Sequence, residues 1–135
     1  MEREQIQTVS RNQFIDITGI IDVRLQSAKI RDGVCVVFIP HTTAGISINE
    51  NADPDVIRDI NMMLDELIPL RHRSFKHMEG NSAAHIKASL MGSSVKILVE
   101  NGRLKLGTWQ SVFFCEFDGP RSRNVWIEFM PAEEN

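Results

Sequence analysis

The chain has 135 residues, 42% hydrophobic and 24% charged, with a formal net charge of −3. This is the composition of an ordinary globular protein, which excludes a disordered or collagen-like chain, and the length suits one domain burying roughly 65–70% of its unfolded surface. The negative balance offers the nucleic-acid backbone no general attraction, and no apolar run reaches the ~20 residues that cross a bilayer. Met1-Glu2-Arg3-Glu4 places charge where a secretory signal would carry its apolar core. We therefore expect a cytoplasmic protein with neither nucleic-acid nor membrane partners.

In chain order, the first expected element is a helix from Ile17 to Ala28, weakened by its β-branched residues. Asp32-Gly33 then reads as a tight turn into Val34-Cys35-Val36-Val37-Phe38-Ile39, whose unbroken apolar run predicts a strand covered on both faces. Ile46 and Ile48 alternate before Asp53-Pro54, an N-cap acid followed by proline at the first helical position. Val56, Ile60, Met63, Leu64 and Leu67 continue at helical spacing until Pro69. A shorter helix is expected from Ser82 to before Gly92, burying Ala83, Ile86 and Leu90. Val95–Val99 and Arg103–Leu106 flank Asn101-Gly102 as a hairpin, and Trp109–Asp118 runs to Asp118-Gly119 before Asn124–Met130 returns. Strands pairing locally in this way predict a mostly antiparallel sheet. Cys35 and Cys115 each lie in an apolar run and read as buried free thiols.

Four segments carry candidate chemistry. His41 follows Pro40 at the end of the apolar strand, His77 lies in a loop, and His85 lies in the helix that follows. Three converging imidazoles would suit a zinc-like ion with a fourth position open to water, although the spacing matches no standard ligand motif. The alternative is that each ring caps or packs alone. Glu79-Gly80-Asn81-Ser82 opens a helix whose first amides suit a phosphate or carboxylate, while a plain capped helix is the simpler reading.

Strand alternation puts Glu116 and Asp118 on one face with Val112 and Phe114, and Phe113, Cys115 and Phe117 on the other. Arg121 is the expected partner of these carboxylates, either as an ion pair or as a fork for substrate phosphate. Glu50 has no capping role and stands as a candidate acid or base. Trp109 is expected in the core or at a subunit interface.

His41-Thr42-Thr43-Ala44, Asn49-Glu50-Asn51-Ala52-Asp53-Pro54, the run from His77 to His85, Gly107-Thr108-Trp109-Gln110 and Glu116-Phe117-Asp118-Gly119-Pro120-Arg121 together resemble the YjbQ-type family. The label secondary thiamine-phosphate synthase is often attached to that family. The resemblance runs from about Gly33 to Phe129 and meets no departure at the motif positions. It implies a single-domain α+β fold, a mostly antiparallel β-sandwich with two or three helices, assembled as a homotrimer.

The resemblance further implies a metal site on His41, His77 and His85. Substrate would be held by Thr42, Thr43, Gly80, Asn81, Ser82 and Arg121, with Glu79, Glu50 and Asp118 handling protons. The implied activity joins a pyrimidine diphosphate to a thiazole phosphate and releases pyrophosphate. The cofactor expected is a divalent metal, zinc rather than magnesium, because imidazoles suit zinc and magnesium prefers carboxylates and water. The expected partner is a small phosphorylated substrate. Two other readings use the same residues: a metal-dependent hydrolase, and a trimeric metal- or small-ligand-binding protein without catalysis.

Overall fold

The computed structural model of the chain describes residues 1–133. Its elements are β1 (Glu2–Gln7), β2 (Gln13–Asp16), α1 (Thr18–Ala28), β3 (Gly33–Phe38), β4 (Ala44–Glu50), α2 (Pro54–Leu67), α3 (Ser82–Met91), β5 (Ser94–Glu100), β6 (Arg103–Leu104), β7 (Gln110–Glu116) and β8 (Ser122–Pro131). They form an α+β fold with a five-stranded sheet, β1-β8-β3-β5-β6, and a three-stranded sheet, β2-β7-β4, each pairing antiparallel. None of the helices is long and apolar enough to cross a membrane among the described residues.

The alternation along β7 explains the layering. Val112 and Phe114 join Cys35, Val37, Ile97, Val125 and Ile127 in a core between the two sheets, which also takes Ile21 and Leu25 of α1. On the opposite face of β7, Phe113, Cys115 and Phe117 pack with Leu64 of α2 and with Ala84 and Ala88 of α3. The small sheet is thus a middle layer, covered by the large sheet on one side and by α2 and α3 on the other. The two cysteines lie in different cores as free thiols, and burial pushes each up to about 12.

Asp53 caps α2 through a bond accepted from the Asp55 amide at 2.9 Å, with proline in the first turn. Of its expected apolar stripe only Leu64 is buried, whereas Met63 and Leu67 are exposed. In α3 the buried residues are Ala83, Ala84, Lys87 and Ala88, not Ile86 and Leu90. The reason is closeness. A Cβ on Gly45 of β4 would lie 2.8 Å from the Gly92 carbonyl and 3.0 Å from Met91 Cβ, so only a face of small residues fits against this sheet.

Among the described residues, local strand pairing holds only at Asn101-Gly102, whose positive φ values of 52° and 74° turn β5 into β6. Asp32-Gly33 instead joins α1 to β3, and Asp118-Gly119 carries the chain from β7 in the small sheet to β8 in the large one. Strand β8 then pairs with β1 and β3, both distant in sequence. Strand β3 is fully covered only on its Cys35 and Val37 side, and Phe38 is exposed. Trp109 lies outside the core, 63% exposed.

Candidate functional site

A cavity of about 420 Å³ opens where the β3–β4 loop, the α2–α3 loop, the start of α3 and the β7–β8 connection meet. His41, Thr42, Thr43, His77, Glu79, Asn81, His85, Asp118 and Arg121 all line it, so nine of the twelve residues singled out above come together. Gly80 and Ser82 are chain neighbours of this lining. Gly80 takes φ +74°, the left-handed turn for which glycine is suited, and Ser82 lines an adjoining depression with His77 and His85. Glu50 is not brought in. Ala44 pairs with Glu116 at the cleft end of β4 and Glu50 with Gln110 at the other end, about 20 Å along the strand.

The floor of the cleft is a buried ion pair. The Glu116 side chain is fully buried and the Arg123 side chain is 3% exposed, and the guanidinium holds both carboxylate oxygens from Nε and Nη2. Glu116 also accepts from the Thr8 hydroxyl at 2.8 Å and from the Phe117 and Asp118 amides at 3.1 Å. Burial pushes this acid up. The bonds from Arg123, the Asp118 amide and Thr8 outweigh burial and hold it below the ordinary glutamate range. Thr43 serves the same floor, its hydroxyl accepting from Arg123 Nη2 at 2.9 Å. Arg123, not Arg121, is therefore the partner of Glu116. It is the residue that reading by local motif overlooks, although it shares its strand parity with the inward Val125 and Ile127.

Asp118 organises the rim. Its Oδ2 accepts from Arg121 Nη2 at 3.0 Å and from Asn81 Nδ2 at 2.8 Å, and Arg121 Nε donates to the Asp118 carbonyl at 2.9 Å. The Arg121 side chain is still half exposed and faces the cleft. Asn81 precedes α3 but does not cap it with its side chain, because that amide is turned to Asp118.

His77 and His85 stand edge to face with ring centroids 5.3 Å apart. His41 Nε2 accepts from the Asn124 amide at 2.8 Å, which leaves Nδ1 to carry the proton of the neutral ring. Burial, then the nearby Arg123, lowers the His41 pKa below the usual histidine value. Among the described residues, no three His, Cys, Asp or Glu side chains are grouped so that they could hold one metal ion. As arranged, the three rings do not make a tetrahedral ligand set.

Known proteins share this architecture. Residues 2–132 match the family described as UPF0047 protein YjbQ-like. The chain is 53% identical over 126 residues to the UPF0047 protein YugU of Bacillus subtilis, covering 93% of this chain and 96% of that one. It is 50% identical to the UPF0047 protein MJ1081 of Methanocaldococcus jannaschii, covering 93% and 91%. A crystal structure of an uncharacterized conserved protein of the same family from Clostridium acetobutylicum superposes with a TM-score of 0.94 at 55% identity, covering 96% of this chain and all of the other. The conserved hypothetical protein TT1486 of Thermus thermophilus gives a TM-score of 0.90 at 41% identity, with coverage of 96% and 100%.

Proposed function

The chain belongs to the YjbQ-like UPF0047 family, and from that premise and the cleft geometry we propose that it is an enzyme acting on small phosphorylated molecules. One observation carries the reading: three imidazoles and an arginine, drawn from four separate segments, line a single 420 Å³ cavity. Arg121 offers a planar fork suited to phosphate oxygens, and the first amides of α3 add donors that the Asn81 side chain leaves uncapped. The His77–His85 pair and Glu79 supply proton-transfer groups within the same space. His41, whose Nε2 accepts from the Asn124 amide, orients substrate through Nδ1.

Together these groups suit displacement at or beside a phosphoryl group. A water or a second substrate's nucleophile would form the new bond as the bond to the departing oxygen breaks, with Arg121 balancing the phosphate charge and an imidazole passing that oxygen a proton. Within this proposal, formation of thiamine phosphate with release of pyrophosphate is the finer version that the family resemblance suggests. The cleft itself supports phosphate handling. A divalent ion, zinc before magnesium, would need side chains to turn and His41 to offer Nδ1, so no step is routed through one.

A homotrimer is also part of the proposal. Phe38, Leu98 and Met130 are 41%, 63% and 49% exposed on the outer face of the large sheet, which they share with Lys96 and Glu128, and a second copy would cover them. Light scattering on the purified chain decides the assembly, and a monomer at working concentration would remove it.

The functional reading is tested by titrating wild-type protein and Arg121→Ala with phosphate esters. Loss of the charged fork is expected to weaken binding by about tenfold or more, because bonds to charged groups are worth about 1.5–3 kcal/mol. Unchanged binding in a folded variant would refute the role given to Arg121.

A further inference from the structure

We infer that the molecule held in this cleft carries, besides its phosphate, a hydroxyl or amine a few bonds away, whose proton is received by Asn81 Oδ1. The inference rests on the phosphate reading of the cleft and narrows it to a class of substrate. Asn81 is only 9% exposed, and its Oδ1 is buried without a hydrogen-bond partner among the described residues. The orientation of the amide is fixed by chemistry. A carboxylate only accepts, so the end facing Asp118 Oδ2 at 2.8 Å is the NH₂ group and the free end is the carbonyl oxygen. That oxygen is not spent on α3, since the side chain makes no cap bond.

Asn81 lines the same cavity as Arg121, and one oxygen of Asp118 binds both, receiving Asn81 Nδ2 and Arg121 Nη2. The phosphate fork and the unpaired acceptor are thereby held as neighbours on a common anchor. Asp118 has Arg121 at 3.0 Å and Arg11 at 3.9 Å, so its own charge is largely balanced. The buried acceptor calls for a donor, and an alcohol or an ammonium group supplies one. Oδ1 is already buried unpaired in the free protein, so a ligand donor that reaches it relieves a standing cost, whereas a ligand without one gains nothing there.

The test compares three esters of one shape by titration calorimetry on the 135-residue chain: propyl phosphate, 2-hydroxyethyl phosphate and 2-aminoethyl phosphate. At least one donor-bearing ester is expected to bind tighter than propyl phosphate by about tenfold or more. The tighter of the two identifies the donor as hydroxyl or amine. Asn81→Ala should erase the preference among the three esters, read as the ratio of their affinities, whatever the change does to phosphate binding through Asp118. Equal binding of all three overturns the inference while the phosphate reading stands. Binding of none overturns the phosphate reading, and this inference with it. The wild-type comparison decides the matter even where the variant does not fold.

Discussion

Arg123→Ala is expected to lower the unfolding free energy by about 3–5 kcal/mol, measured by urea denaturation at neutral pH. The magnitude follows from what would be left behind. Glu116 has no exposed side-chain surface, and without the guanidinium its carboxylate keeps only the Thr8 hydroxyl and two backbone amides. A buried charge stripped of its counter-ion is among the most destabilising single changes known.

The pH dependence has a definite sign. In the wild type Glu116 is held below its unfolded value of about 4.3, so its contribution is present above that pH and is lost as pH falls through the folded pKa. In Arg123→Ala the lowering influence of the guanidinium is gone while burial remains, so the acid rises from its wild-type position. The deficit of the variant should therefore be largest near neutrality and should shrink in mild acid, where Glu116 takes up a proton. A double change, Glu116→Leu with Arg123→Met, should recover much of the loss by removing both charges. A single variant within about 1 kcal/mol of wild type would mean that the pair is not the floor described here.

Gly119→Ala is expected to be the most damaging of the glycine replacements at the cleft, at about 3 kcal/mol, the upper end of ordinary overpacking. The added Cβ would stand 2.3 Å from the Ser10 carbonyl, 2.8 Å from Thr8 Oγ1 and 2.9 Å from Glu116 Cγ. None of these can retreat cheaply. One is backbone, and Thr8 is tied to Glu116 at 2.8 Å and to the Arg121 amide at 2.9 Å. Because Asp118 and Arg121 flank this glycine, phosphate binding should weaken together with stability.

Gly80→Ala provides the contrast. Its φ of +74° is unfavourable for alanine, but no atom lies within 4 Å of the new Cβ, so a loss of about 1–2 kcal/mol from conformation alone is expected. Thermal denaturation of the two variants side by side checks the order. Equal losses would show that the clash at residue 119 is relieved by movement.

What the sequence reveals of this molecule depends on how local the cause is. Helix α2 is announced by Asp53 and Pro54, and the β5–β6 turn by Asn101-Gly102, because these preferences act within a few residues. The two faces of β7 are equally legible, since alternation alone sorts Val112 and Phe114 from Phe113, Cys115 and Phe117. Strand β1 is not legible. Glu2-Arg3-Glu4-Gln5-Ile6-Gln7 buries only Ile6, and its pairing with β8 is a matter of backbone register.

The transfer of the chain between sheets at Gly119 is hidden for a similar reason. It depends on contacts with Ser10 and Thr8, more than a hundred residues earlier. In the cleft, the histidines and Arg121 are visible as residue types in suggestive places. Arg123 is visible only when strand parity is carried back from Ile127 and Val125 to a charge on the inward side. The burial of α3 on its alanines escapes the sequence because a rule about large apolar residues ignores how closely β4 approaches at Gly45.

The most direct measurement is a proton–nitrogen spectrum of the imidazole rings while propyl phosphate is titrated into the protein. His41, His77 and His85 are expected to shift together along one binding curve. His72, which accepts from the Ser74 amide at 3.1 Å and packs beside Phe75, should stay still. Rings that ignore the ester, or that respond along separate curves, would contradict the claim that these side chains form a single phosphate-binding cleft.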